Sequence, residues 1–146
     1  MHLIRNTEGQ RVQVLGDQVT IKVASADSPN GQAIVSVEVP PGSGTPCVMH
    51  AREEEVYYLV EGELLMHTPT EKHLLHPGDM VHLPPLTPHG YRNPGDKPAR
   101  FVAWTLGGPM DRFFLAMAER VHNLPQDLEA MQAVLAEYGV QRVGAS

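Results

Sequence analysis

The sequence predicts an all-β barrel or sandwich followed by one or two C-terminal helices. Three observations carry that expectation: short runs that alternate apolar and polar residues, Gly- and Pro-rich breaks between them, and a change to helical spacing after Gly107-Gly108-Pro109. A chain of 146 residues suits one domain. We place its strands from about residue 10 to 106 and its helical segment from about 109 to 140.

The alternating runs come in order. Val12 to Gly16, Val19 to Val23 and Ala33 to Val39 each place one face of a strand in a core. Turn signals follow at Ser28-Pro29-Asn30-Gly31 and Pro40-Pro41-Gly42-Ser43-Gly44, where Pro fixes φ and Gly or Asn accepts positive φ. Val56 to Val60, Glu63 to His67 and Met80 to Leu83 are the next strands, broken by His76-Pro77-Gly78-Asp79. Asn93-Pro94-Gly95-Asp96 precedes the last, Ala99 to Trp104. Pro109 suits a first helical turn, and Phe113, Phe114 and Met117 form an apolar patch behind it. From about Pro125 to Tyr138 the residues Leu128, Met131, Val134, Leu135 and Tyr138 fall on one helical face, with Gly139 as the stop. These helices are expected to pack on the barrel exterior or, alternatively, to mediate dimerisation.

Composition narrows the function classes. A net charge of -6 argues against nucleic acid and anionic membranes as partners. The single cysteine, Cys47, allows no intramolecular disulfide and fits a reducing compartment. No apolar stretch approaches the roughly 20 residues that span a bilayer. Met1 to Arg5 lacks the apolar core of a signal peptide. Together these features point to a cytoplasmic protein.

Within Pro40 to Asn93 lie residues at recurring intervals: Gly42, Val48, His50, Glu55 and Gly62, then Gly78, Pro84, Leu86, His89 and Asn93. This pattern resembles the two motifs of the cupin family. That family has a histidine where Val48 stands and a glycine where Leu86 stands. Flanking stretches, Glu54 to Glu63, Asp111 to Phe114 and Glu137 to Val140, are similar to the small bacterial cupins of the quercetin 2,3-dioxygenase-like branch. The resemblance implies a double-stranded β-helix, or jelly-roll barrel, and a homodimer. It implies a metal held by His50, Glu55 and His89 with the first histidine lost.

Strand geometry leads to the same residues. Residues two apart share a face, so Val48 groups with His50, Glu55 with Tyr57 and Leu59, and His89 with Tyr91. Two imidazoles and a carboxylate converging from neighbouring strands suit a cation at about 2.0–2.2 Å. Such a set fits non-haem Fe and is compatible with Mn, Ni, Co, Zn or Cu. Two readings follow: a working three-ligand site, or a degenerate one whose histidines are satisfied by Glu55 and water, with no cofactor. Val48, Tyr57 and Tyr91 are the expected substrate pocket. Tyr57, Tyr91, Met66, Phe101 and Trp104 are core or pocket lining. His82 should face away from the site, Cys47 likewise, and Arg52, Glu53 and Glu54 should form a solvated turn. His67, His73 and His76 belong to a surface hairpin, with His2 and His122 near termini or loop.

The resemblance implies a dioxygenase-like, metal-dependent enzyme for a small, mostly apolar molecule, aromatic or flavonol- or polyketide-like. Glu55 would serve as ligand and proton acceptor. Two alternatives are a non-catalytic small-molecule-binding module and an isomerase or cyclase using Glu55 and histidine as acid and base.

Overall fold

The computed structural model describes residues 1–144. Its first hairpin joins β1 (Gln10–Val14) to β2 (Asp17–Val23) through Leu15 and Gly16, both at positive φ (48° and 97°). Positive φ at both central residues is what a two-residue hairpin turn requires. The turn makes Asp17 the first residue of β2, on the same inward face as Val19 and Ile21. β3 (Ala33–Val39), β4 (Val48–His50), β5 (Glu54–Glu61), β6 (Leu64–His67) and β7 (Lys72–Leu75) follow, then β8 (Met80–Leu83), β9 (Gly90–Arg92) and β10 (Ala99–Leu106). Helices α1 (Met110–Arg120) and α2 (Leu128–Glu137) precede a short final strand, β11 (Val140–Arg142).

One sheet runs β1-β2-β3-β10-β5-β8, and smaller sheets β7-β6-β9 and β11-β4 complete the barrel. Every named pairing is antiparallel. The chain leaves the large sheet for the smaller one at Gly62 (φ 80°), where a Cβ would come within 2.6 Å of the Pro98 carbonyl. Both sheets aim alternate side chains into one core. Val35, Val37, Leu59 and Phe101 come from the large sheet and meet Leu64, Met66, Leu75 and Tyr91 from the small one. Burying such a side chain stabilises the fold by about 1.5–3 kcal/mol relative to leaving it exposed.

The inward rows change character along the barrel. On β5 the inward residues are Leu59, Tyr57 and Glu55 in turn. Across from them on β10 stand Phe101, Ala103 and Thr105. The row therefore passes from dry core to polar groups within four residues, and all three β5 side chains are buried.

The helices differ from expectation. They do not merely coat the outside. Met110, Phe113 and Met117 of α1 form a second core with Met131 and Val134 of α2 and Val140 of β11. Phe113, Phe114, Met117, Met131 and Leu135 also line the interior cavity of the barrel. A barrel end has to be covered by something apolar. The sequence shows the apolar stripe of a helix but not which surface it covers. β7 and β11 were not foreseen from the alternation. Among the described residues, no helix is long and apolar enough to cross a membrane.

Candidate metal centre

Three strand ends bring His50, Glu55 and His89 together. His50 closes β4, Glu55 lies one residue into β5, and His89 immediately precedes β9. Main-chain pairing fixes the two histidines: the Val48 and His89 amides each donate to the other's carbonyl at 2.8 Å. Each of the three residues offers one donor atom, and these atoms lie within 4.8 Å of one another. His50 Nε2 is 3.4 Å from Glu55 Oε1, and His89 Nε2 is 3.4 Å from Glu55 Oε2. The imidazoles are 5.5 Å apart by ring centroid and nearly parallel. Exposure is 6% for His50, 1% for Glu55 and 4% for His89. At that burial an ionised carboxylate needs partners.

Partners are what this site lacks. Among the described residues, neither Glu55 oxygen accepts a hydrogen bond of good geometry, nor does His50 Nδ1 make one. Groups this deeply buried are nearly always paired in folded proteins, so the orphaned atoms leave the site able to take up a further partner. His89 is already set for that. Its Nδ1 donates to the Thr87 carbonyl at 2.9 Å, which leaves Nε2 with a lone pair directed at Glu55. The donor chemistry and the orphaned oxygens fit a divalent metal: the buried triad could bind one.

Burial pulls the His50 pKa below its ordinary value, and the Glu55 charge does not offset it. Burial pulls His89 the same way, but the neighbouring Glu55 and the Thr87 carbonyl outweigh it, so His89 is raised. For Glu55 burial pushes up, while the imidazoles and the Tyr57 hydroxyl more than compensate and leave the carboxylate favoured. Tyr57 stays a phenol: burial and the Glu55 charge hold its pKa well above the usual value.

The triad opens onto a cavity of about 130 Å³ with a mostly apolar wall. Val48, Tyr57 and Tyr91 all line it. Tyr57 packs at 4.7 Å from Phe101 and edge-on to Tyr91, with its hydroxyl 3.5 Å from His89 Nε2. Phe113 of α1 lies edge-on to His50. Away from the triad, Asp17 forms a second buried polar group. Its carboxylate accepts from Tyr91 at 2.5 Å and from Ser43 at 2.7 Å. Burial raises the Asp17 pKa despite those two bonds.

Residues 35–105 match the Cupin domain family. The chain carries a cupin domain. It is 36% identical over 134 residues to quercetin 2,3-dioxygenase of Bacillus subtilis, covering 90% of this chain. The chain spans 39% of that relative's length. Among solved structures, KdgF from Halomonas sp. superposes with a TM-score of 0.67 at 23% identity, covering 77% of this chain and 98% of that one. The polyketide cyclase RemF from Streptomyces resistomycificus gives 0.67 at 19% identity, covering 100% and 87%. At such identities the two structures share the fold.

Against the cupin motifs, the two departures have structural counterparts. Val48 lines the cavity beside the triad and supplies no donor atom. Leu86 takes the left-handed conformation, φ 65°, that glycine adopts without strain. It is the third residue of the turn Pro84-Pro85-Leu86-Thr87, closed by the Thr87 amide on the Pro84 carbonyl. A positive φ at that place defines a type II turn. The turn serves the site directly, since the Leu86 amide donates to the His50 carbonyl at 2.8 Å and Thr87 holds His89.

Four expectations about side chains need comment. His82 faces outward and pairs with Glu54 on the surface, and Cys47 does not line the cavity. Glu53, expected in a solvated turn, is 2% exposed, whereas Arg52 and Glu54 are exposed as expected. The signal was present: Glu53 is two residues before Glu55 and so shares its inward parity. Trp104, expected in core or pocket, is half-buried on the outer face of the large sheet. It alternates with the inward Ala103 and Thr105, so parity excludes it from the interior. Asp17 and Thr105 were missed. Both share parity with inward apolar neighbours, and the Thr105 hydroxyl has no partner.

Proposed function

We propose that this protein is a metal-dependent cupin enzyme with dioxygenase-like chemistry on a small hydroxylated, mostly apolar molecule. The observation that carries the reading is a buried triad with unpartnered ligand atoms facing an apolar cavity. The similarity to quercetin 2,3-dioxygenase supports it. His50, Glu55 and His89 would hold the metal, one of Fe, Mn, Ni, Co, Zn or Cu. The metal would supply Lewis acidity and, if redox-active, a route to molecular oxygen. Glu55 takes the proton of a substrate hydroxyl, because the flanking imidazoles and the Tyr57 hydroxyl outweigh burial and keep that carboxylate an acceptor in the site. Tyr57 donates to the substrate oxygen, its phenol held protonated beside His89. Tyr91, tied to Asp17, is fixed as an apolar wall.

Size narrows the substrate. A dry cavity of roughly 150 Å³ holds a benzene ring, so about 130 Å³ seats one ring against the triad. A larger flavonol- or polyketide-like molecule would extend toward the helical wall. The second reading, acid–base isomerisation or cyclisation, uses the same Glu55 and His89 without oxygen. Non-catalytic binding is the third. Oxygen uptake by protein loaded with Fe, Mn, Ni, Co or Cu, with hydroxylated aromatics of one to three rings, tests the proposal. Product without oxygen consumption would move it to isomerase or cyclase. Binding without turnover by every metal form would leave a binding module. We also take the chain as a single domain acting as a homodimer. Sedimentation at micromolar concentration checks the oligomer.

A further inference from the structure

The His50 ring lies between two carboxylates, one at each nitrogen. Nε2 faces Glu55, and Nδ1 is 3.9 Å from Glu53 Oε2. Both Nδ1 and that Glu53 oxygen are buried, and among the described residues neither has a hydrogen-bond partner. Glu53 is 2% exposed and pairs with no Lys or Arg among the described residues. Its place is made by Gly108: a Cβ there would collide with the Glu53 carboxylate. The chain thus keeps a glycine after β10 so that a carboxylate can lie behind a histidine. A carboxyl buried this deeply with no ion-pair partner is costly, which makes the arrangement hard to explain as packing alone.

We propose that Glu53 is a positioning residue for the metal: it accepts the Nδ1–H of His50, so that Nε2 is presented to the cation, and its charge completes the neutralisation of a divalent ion. This rests on the metal reading above. The two histidines are then oriented by different means. His89 is held by a neutral carbonyl, that of Thr87, and His50 by a charged carboxylate. Glu55 alone leaves a divalent ion with one uncompensated charge; Glu53 brings the total to zero. A carboxylate behind a ligating imidazole also raises its basicity. That is the kind of support a site short of one imidazole needs, with Val48 in the missing ligand's place.

Cobalt(II) binding to the full chain, measured by chelator competition and visible absorption, tests the proposal with Glu53→Met, Glu53→Gln and Gly108→Ala. Glu53→Met removes both acceptor and charge and should weaken binding about 10–100-fold. Glu53→Gln keeps an acceptor and should lose less. Gly108→Ala displaces the carboxylate without removing it and should follow Glu53→Met, which keeps the test open if a Glu53 variant fails to fold. The metal-free Glu53→Met and Glu53→Gln variants should melt no lower than the parent, since a costly buried charge is gone. In the zinc-loaded, 15N-labelled parent, His50 should carry a protected Nδ1–H that Glu53→Met exposes to exchange. Unchanged cobalt affinity in folded variants overturns the role of Glu53 while the metal reading stands. Weakened binding matched by an equal loss of metal-free stability, with the Nδ1–H unaltered, also overturns it. A parent that takes up no cobalt overturns the metal reading itself, and this inference with it.

Discussion

One cavity holds two buried carboxylates that have been treated in opposite ways. Asp17 has both oxygens satisfied, by Ser43 and Tyr91. Glu55 has two oxygens without a hydrogen bond and imidazoles at 3.4 Å on either side. Both are deeply buried and both line the same space. The difference is one of completeness. Asp17 is a finished structural group that ties the β1–β2 hairpin to β9. Glu55 is a group awaiting a partner. Burial alone would not separate them; the hydrogen-bond inventory does.

The sharpest way to break this contrast is to alter each side and measure both metal affinity and stability. Glu55→Gln and His89→Ala each remove a direct ligand, so metal affinity should fall beyond the roughly 100-fold upper range seen for outer partners. His82→Ala, on the outer surface, should leave it unchanged. Equal losses in isothermal titrations of His89→Ala and His82→Ala would mean that the strand faces are misassigned.

The opposite edit is Tyr91→Phe. It leaves buried Asp17 one donor short and should cost about 1–3 kcal/mol of stability in denaturant unfolding. Metal affinity should stay within about twofold. A Tyr91→Phe variant that keeps its stability but loses metal would reverse the roles given to the two clusters.

A third test adds a ligand. Val48 and His89 exchange both main-chain hydrogen bonds, so their side chains lie on the same face. Val48→His should tighten metal binding by about tenfold, approaching the four-ligand closure of structural sites. Turnover should drop if the open position receives substrate. An unaltered chelator competition curve in a folded Val48→His variant would exclude position 48 from the site.

Acidity supplies a fourth. Bound histidines must be neutral. The His89 pKa is raised above 6.5 and that of His50 is lowered, so His89 takes up its proton first as pH falls. Apparent metal affinity should be level at high pH and begin to fall at a pH above 6.5. It should steepen further at the lower pH where His50 also protonates. A single break below 6.5 would contradict the distinction between the two rings.

The smallest effect concerns the turn that braces both histidines. Leu86→Gly removes a left-handed leucine worth about 1–2 kcal/mol of strain and restores about 0.4–1 kcal/mol of unfolded-chain freedom. The net gain should lie between about 0 and 1.6 kcal/mol, read as a modest rise in Tm.

Much of this was legible before any coordinates. β3 and β8 begin and end where the alternation says, because a half-buried strand writes its period directly into the chain. The intervals from Gly42 to Asn93, through their resemblance to the cupin motifs, single out His50, Glu55 and His89. What the sequence hid was of two kinds. Asp17 and Glu53 look like surface acids in turns; parity places them inward, yet only the fold shows what waits there. The burial of Glu53 depends on Gly108, fifty-five residues away by number, and no local pattern connects them. The helices hid their destination for a related reason: an apolar stripe on α1 is the same whether it meets an outer sheet face or a barrel mouth.

The helical wall has a consequence for how such a protein changes over time. The triad and the tyrosines come entirely from strands that end by Leu106, while Met117, Met131 and Leu135 reach the same cavity from the segment after Gly108. The donor atoms of the triad and part of the wall that faces them are therefore inherited on separate stretches of chain. Substitutions at Met117, Met131 and Leu135 can reshape that wall while leaving His50, Glu55 and His89 where they are. Met117 and Met131 also belong to the second core, so changes that conserve volume are the ones the fold tolerates best.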